Sequence, residues 1–157
     1  MNKKNKASKV KTPKILKEDK FSPFAIEIVK KLKQSGFQGY LVGGCVRDSL
    51  VGIKAKDFDV STDATPEEVR KLFRSSRIIG KRFRLVHVFN RNELIEVSTF
   101  RSNASKQSNI SEVVKDSEGK ILRDNVWGTL EEDCVRRDFS INCLLYTSDA
   151  ADEGLGV

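Results

Sequence analysis

The chain has one histidine, one tryptophan, three prolines and three cysteines in 157 residues, and no apolar run approaches membrane-spanning length. Each scarcity excludes something. Cys45, Cys134 and Cys143 are far apart and show no ligand spacing, which argues against a disulfide framework and against a zinc site. The first residues lack the apolar core of a signal peptide, so a cytoplasmic protein with no membrane and no disulfide partner is expected. The lone histidine, His87, alternates with the apolar Val86 and Val88, and reads as structural rather than as a base. There is no internal repeat.

What is present begins with charge. Lys and Arg number 29 against 22 Asp and Glu, a net of +7, and the excess is concentrated at the start. Residues 1–20 hold eight lysines against Glu18 and Asp19, a net of +6, with no arginine, which speaks against a mitochondrial transit peptide. Too poor in apolar residues to fold alone, the segment reads as a disordered basic arm, serving either for nucleic-acid backbone contact or as a solubilising leader. The remaining length suits one domain with a real core.

Ser22-Pro23 is a plausible cap and first helical residue, with Phe24, Ile28, Val29 and Leu32 following at helical spacing up to Gly36. Thr65-Pro66-Glu67-Glu68 reads as a capping box opening a second helix. Ile78-Ile79 suggests a short strand. Phe83–Phe89 and Leu94–Phe100 alternate around an Asn90-Arg91-Asn92 hairpin turn. Residues 102–126 are polar and lack periodicity, which predicts a long loop, and a helical pattern resumes from Gly128. Hairpins mixed with helical crossovers predict an α+β fold: a mixed β-sheet with helices mainly on one face.

The most informative residues are Gly43-Gly44-Cys45-Val46-Arg47-Asp48 and Asp57-Phe58-Asp59-Val60. On a strand, Asp57 and Asp59 project the same way while Phe58 and Val60 turn to the core. Two carboxylates so close repel unless a cation lies between them, and Mg²⁺ takes oxygen ligands of this kind together with substrate phosphates. The Gly43-Gly44 pair ends an apolar strand and opens a short amphipathic segment, a turn whose amides accept anions, with Arg47 one turn further on. Glu96, on the polar face of the second hairpin strand, completes a three-carboxylate cradle if that strand neighbours Asp57-Asp59.

Tyr40-Leu-Val-Gly-Gly-Cys-Val-Arg-Asp48, Asp57-Phe-Asp-Val60, Glu96-Val-Ser-Thr-Phe-Arg101 and Arg136-Arg-Asp-Phe-Ser-Ile-Asn142 together resemble the class II nucleotidyltransferases of the DNA polymerase beta superfamily. That group contains tRNA CCA-adding enzymes and bacterial poly(A) polymerases. Gly80-Lys-Arg-Phe-Arg-Leu-Val-His-Val88 is more similar to the poly(A) polymerase branch. The resemblance implies a nucleotidyltransferase head adding AMP from ATP to RNA 3′ ends, with CCA addition as the alternative. It further implies two Mg²⁺ ions on Asp57, Asp59 and Glu96, with in-line displacement of pyrophosphate. Gly43, Gly44 and Arg47 would cradle the triphosphate, while Arg101, Arg137 and Asp138 would contact the nucleotide, Asp138 also serving as a catalytic acid.

The resemblance spans residues 21–142, and nothing beyond Asn142 supplies the family's base-selecting neck segment with its Glu-Asp-x-x-Arg pattern. Glu132-Asp133-Cys134-Val135-Arg136 has those letters but precedes the Arg-Arg-Asp motif, which makes the match coincidental. From Cys143 the chain reads like a translated transposase sequencing adapter, so residues 143–157 are expected to be a non-native tail.

Overall fold

A computed structural model of the chain describes residues 17–102, 113–115, 117, 121–124, 127–136 and 145–146. Most of the basic arm and two expected site residues, Arg137 and Asp138, lie outside the described residues.

Helix α1 (Pro23–Gln34) starts where the cap signal puts it: the Ser22 hydroxyl accepts a hydrogen bond from the Ala25 N–H at 3.2 Å. Ile28, Val29 and Leu32 are wholly buried, each contributing about 1.5–3 kcal/mol by leaving water. Strand β1 (Gly39–Val42) leads through Gly43 into α2 (Gly44–Leu50), and β2 (Asp59–Thr62) follows. Helix α3 (Pro66–Leu72) opens on the predicted capping box, with Thr65 and Glu68 each bonding the other's backbone. Strands β3 (Ser76–Ile79), β4 (Leu85–Phe89) and β5 (Leu94–Thr99) come next. The Asn90 side chain closes the β4–β5 turn by accepting the Asn92 and Glu93 N–H groups at 2.9 Å.

The segment expected to be one long loop contains an antiparallel pair, β6 (Val113–Lys115) and β7 (Ile121–Asp124). Val113-Val114 and Ile121-Leu122 are apolar pairs set in a polar stretch, too short to show a period of their own, and cross-strand pairing is what orders them. Helix α4 (Leu130–Val135) has a second capping box, Thr129 with Glu132. A two-residue strand, β8 (Leu145–Tyr146), falls within the tail expected to be non-native and pairs with β1.

The main sheet has the order β3-β4-β5-β2-β1-β8, antiparallel except for the parallel β2–β5 pair, and is therefore mixed as expected. Register places Leu41, Val60, Val97, Val86 and Ile78 in one row across five strands. The first four of these are at most 1% exposed, and they join α1 and α3 residues in a single core, so the helices cover that face. The neighbouring row, shifted by one residue and hence pointing the other way, runs Val42, Asp59, Glu96, His87, Arg77. No described helix is long and apolar enough to cross a membrane.

Candidate active site

The second row carries the chemistry. Asp59 and Glu96 are direct partners on parallel strands about 4.8 Å apart, so their side chains leave the same face side by side. Asp59 is exposed and Glu96 half-exposed. Asp57 lies two residues ahead of Asp59, exposed and just before the strand begins. The strand of Glu96 is the immediate neighbour of β2, although Asp57, Asp59 and Glu96 do not come together as a three-residue metal group.

The glycine turn is at the same end of the sheet, because Val42, the last residue of β1, is opposite Asp59. Gly43 has φ +72° and ψ −133°, a conformation that only glycine adopts cheaply. Gly43→Ala therefore costs about 2 kcal/mol in backbone strain alone, since an added Cβ would meet nothing within 4 Å. Gly44→Ala, inside the helix, is expected to be near neutral, and urea unfolding of the two variants checks the contrast.

Arg47 folds back over this turn. Its Nη2 lies 3.4 Å from where a Cβ on Gly44 would stand, and its guanidinium also donates to Asp48 Oδ1 at 3.1–3.2 Å. Cys45 ties turn to strand: its thiol donates to the Val42 carbonyl at 3.3 Å and meets the Asp59 backbone N–H. Burial pushes the Cys45 thiol above its ordinary pKa, Asp59's charge adding to the effect against backbone hydrogen bonds that lower it, so the sulfur stays protonated and serves as packing.

Two further residues stand in this row that the motifs do not announce. His87, read as structural, shares the carboxylate face, with Nε2 3.7 Å from Glu96 Oε2. Its alternation with Val86 and Val88 was the signal, since both of those are buried and His87 must point the other way. Arg77 follows on the edge strand.

Arg101 is elsewhere. It lies five residues beyond Glu96, about 16 Å along the strand direction at 3.3 Å per residue, with its guanidinium 4.7 Å from the Phe83 ring centroid. Its backbone N–H donates to Asp133 Oδ1 at 3.1 Å, and the same buried oxygen accepts Arg136 Nε and Nη2 at 2.9 and 2.6 Å. The Asp133 and Arg136 of the coincidental Glu-Asp-x-x-Arg letters thus pin α4 to the end of β5.

Hard cations such as Mg²⁺ take oxygen donors, commonly one or two carboxylates plus water and substrate phosphate. Asp59 and Glu96, adjacent and open to solvent, fit that requirement. Among the described residues, no three His, Cys, Asp or Glu side chains form a complete metal cradle, so substrate oxygens would have to finish the coordination.

Comparison with known proteins agrees with this geometry. Residues 39–154 match the family described as the poly(A) polymerase head domain. Poly(A) polymerase I of Haemophilus influenzae is 50% identical over 127 residues, covering 80% of this chain and 28% of that protein. A CCA-adding enzyme of Listeria monocytogenes is 38% identical over 120 residues, covering 76% of this chain and 28% of its own. Among solved structures, the Bacillus stearothermophilus CCA-adding enzyme in complex with CTP superposes with a TM-score of 0.58 at 33% identity, over 80% of this chain and 28% of that one. The chain spans under a third of the length of these relatives. With the glycine turn and the carboxylate row built on the same sheet end, and with the match extending over most of its length, the chain belongs to the poly(A) polymerase head-domain family of nucleotidyltransferases.

Proposed function

We propose that this chain is the catalytic head of a template-independent RNA nucleotidyltransferase, which transfers AMP from ATP to an RNA 3′ end in the cytoplasm. The observation that carries the reading is the register of Asp59 opposite both Glu96 and Val42, which sets two carboxylates beside the glycine turn. In the reaction the RNA 3′ oxygen forms a bond to the α-phosphorus of ATP, while the bond to the departing pyrophosphate breaks.

Gly43 and Gly44 leave the backbone bare enough for a triphosphate to approach, and Arg47, already folded over the turn, exchanges its hydrogen bonds to Asp48 for phosphate oxygens. Asp57, Asp59 and Glu96 would hold two Mg²⁺ ions. Bound there, Mg²⁺ neutralises the developing charge on the phosphate and eases ionisation of the 3′-hydroxyl. Arg101 contacts the nucleotide from the far end of β5. Arg137 and Asp138, outside the described residues, take the nucleotide-binding roles that the family motif gives them, with Asp138 as a further active-site acid.

The second reading is CCA addition, favoured by the superposition on an enzyme with CTP bound. Supplying each nucleotide separately decides between them. Long tails from ATP alone on an unstructured RNA support the first reading, whereas CMP incorporation onto a tRNA lacking its 3′ end overturns it.

A further inference from the structure

A groove of about 680 Å³ opens where α1, the end of α3 and the β4–β5 turn meet. Four cations line it, Lys31 from α1, Lys71 and Arg74 from around the end of α3, and Arg91 from the turn, and no acidic residue is among its lining. All four are exposed, and among the described residues none pairs with a carboxylate within 4 Å. Its apolar wall includes Phe73, with Lys31 Nζ 5.0 Å from the ring centroid, and Phe89, which is 37% exposed.

Four like charges gathered around a cleft repel one another, and a bound polyanion removes that repulsion. An exposed aromatic ring among cations is an arrangement that takes single-stranded nucleic acid, phosphates on the Lys and Arg side chains and a base on the ring, a role open to Phe89 and not to Phe73, which is 8% exposed. The groove lies on the helix-covered face, with Val88 in its lining, and reaches the carboxylate face only at its Phe89 rim. Phe89 is two residues beyond His87 on β4, so it lies on the carboxylate face while also lining the groove. The rim therefore adjoins the row of Asp59, Glu96 and His87.

We infer that this groove binds single-stranded RNA, holding the stretch just upstream of the 3′ end. The inference rests on the proposed function for the direction of the strand, and on the groove's own charge for the occupant.

The test is a fluorescence-anisotropy titration of labelled oligoadenylate with the full 157-residue chain across a series of salt concentrations. The double variant Lys71→Glu/Arg91→Glu is expected to flatten the slope of log affinity against log salt by about 1.4, at about 0.7 for each phosphate no longer neutralised. Lys33→Glu/Lys54→Glu, with the same change of charge outside the groove lining, is expected to flatten it less. Thermal melts establish that both variants fold. Photocross-linking with thiouridine-bearing oligoadenylate is expected to label peptides containing Phe89. Equal slopes for the two variants, cross-links confined to other peptides, or no RNA binding by the chain would overturn the inference, as would ATP competing as tightly as the oligonucleotide. A groove that fails while Asp59→Asn abolishes transfer leaves the proposed function standing. Unchanged transfer with Asp59→Asn sinks that function and leaves the groove to be judged by its slope.

Discussion

Asp59→Asn is expected to lower AMP transfer to an RNA 3′ end by about a thousandfold with little change in the melting temperature. The two halves of that outcome share a cause. Asp59 stands opposite Glu96 and two residues from Asp57, so three carboxylates lie near one sheet end. The amide keeps the size and hydrogen-bonding oxygen of the acid and removes only its charge, so the fold is expected to lose little. In the reaction the same charge offsets charge building on the phosphate, a contribution of several kcal/mol. At about 1.4 kcal/mol per tenfold, about 4 kcal/mol gives the thousandfold. The change is isosteric and the position exposed, so packing does not enter. Transfer kinetics and a thermal melt on the same preparation check both halves. A variant that keeps its activity would leave the chain a basic RNA-binding module with no catalytic role, and one that loses activity by unfolding would show it in the melt.

Phe100→Ala is expected to be the most costly single truncation, at about 4 kcal/mol of stability, or about 12 °C in melting temperature at about 3 °C per kcal/mol for a domain of this size. Phe100 heads the wholly buried side chains by volume and sits outside the main core cluster. It follows Glu96 and Ser98 on their face, with its ring centroid 6.2 Å from that of Tyr40. Its backbone N–H donates to the Thr62 carbonyl at 2.8 Å, and its carbonyl accepts from the Gly128 N–H at 2.9 Å. Removing the ring opens a cavity where β5, β1 and the approach to α4 meet. Because the ring carries no functional group, any loss of transfer by the folded variant is expected to come through displacement of the neighbouring Arg101. Calorimetry with parallel transfer assays separates the two effects.

Much of the fold was legible because its signals are local. Ser22, Thr65 and the Asn90 turn each act within three residues, and each makes the hydrogen bonds its position foretells. The carboxylate pair and the glycine turn were readable for the same reason: alternation along one strand and a conformation reserved to glycine need no distant partner. The β6–β7 ladder was missed because its only signal is two apolar pairs, Val113-Val114 and Ile121-Leu122, too short for alternation to stand out from the polar residues around them. The position of His87 beside Glu96 was not readable either, although alternation already placed it on the polar side. Asp133 and Arg136, whose letters match a base-selecting motif by coincidence, instead anchor α4 to the backbone of Arg101 in three dimensions, a use that their spacing alone does not show.

By itself the sequence determined which residues turn to a core and which to solvent, where the helices start, and that the chain must bend at Gly43. Only the tertiary structure decided that β5 lies parallel to β2 with Glu96 opposite Asp59, 37 residues apart in the chain, as Ser61 and Ser98 in the same ladder also are. Alternation assigns each side chain a face but leaves strand order and register open. Those were settled when Leu41, Val60, Val97 and Val86 aligned into one buried row, because a slip of a single residue would drive Asp59 and Glu96 into the core and turn the valines out to water. The apolar row sets the register, and the charged row beside it is brought together as a consequence.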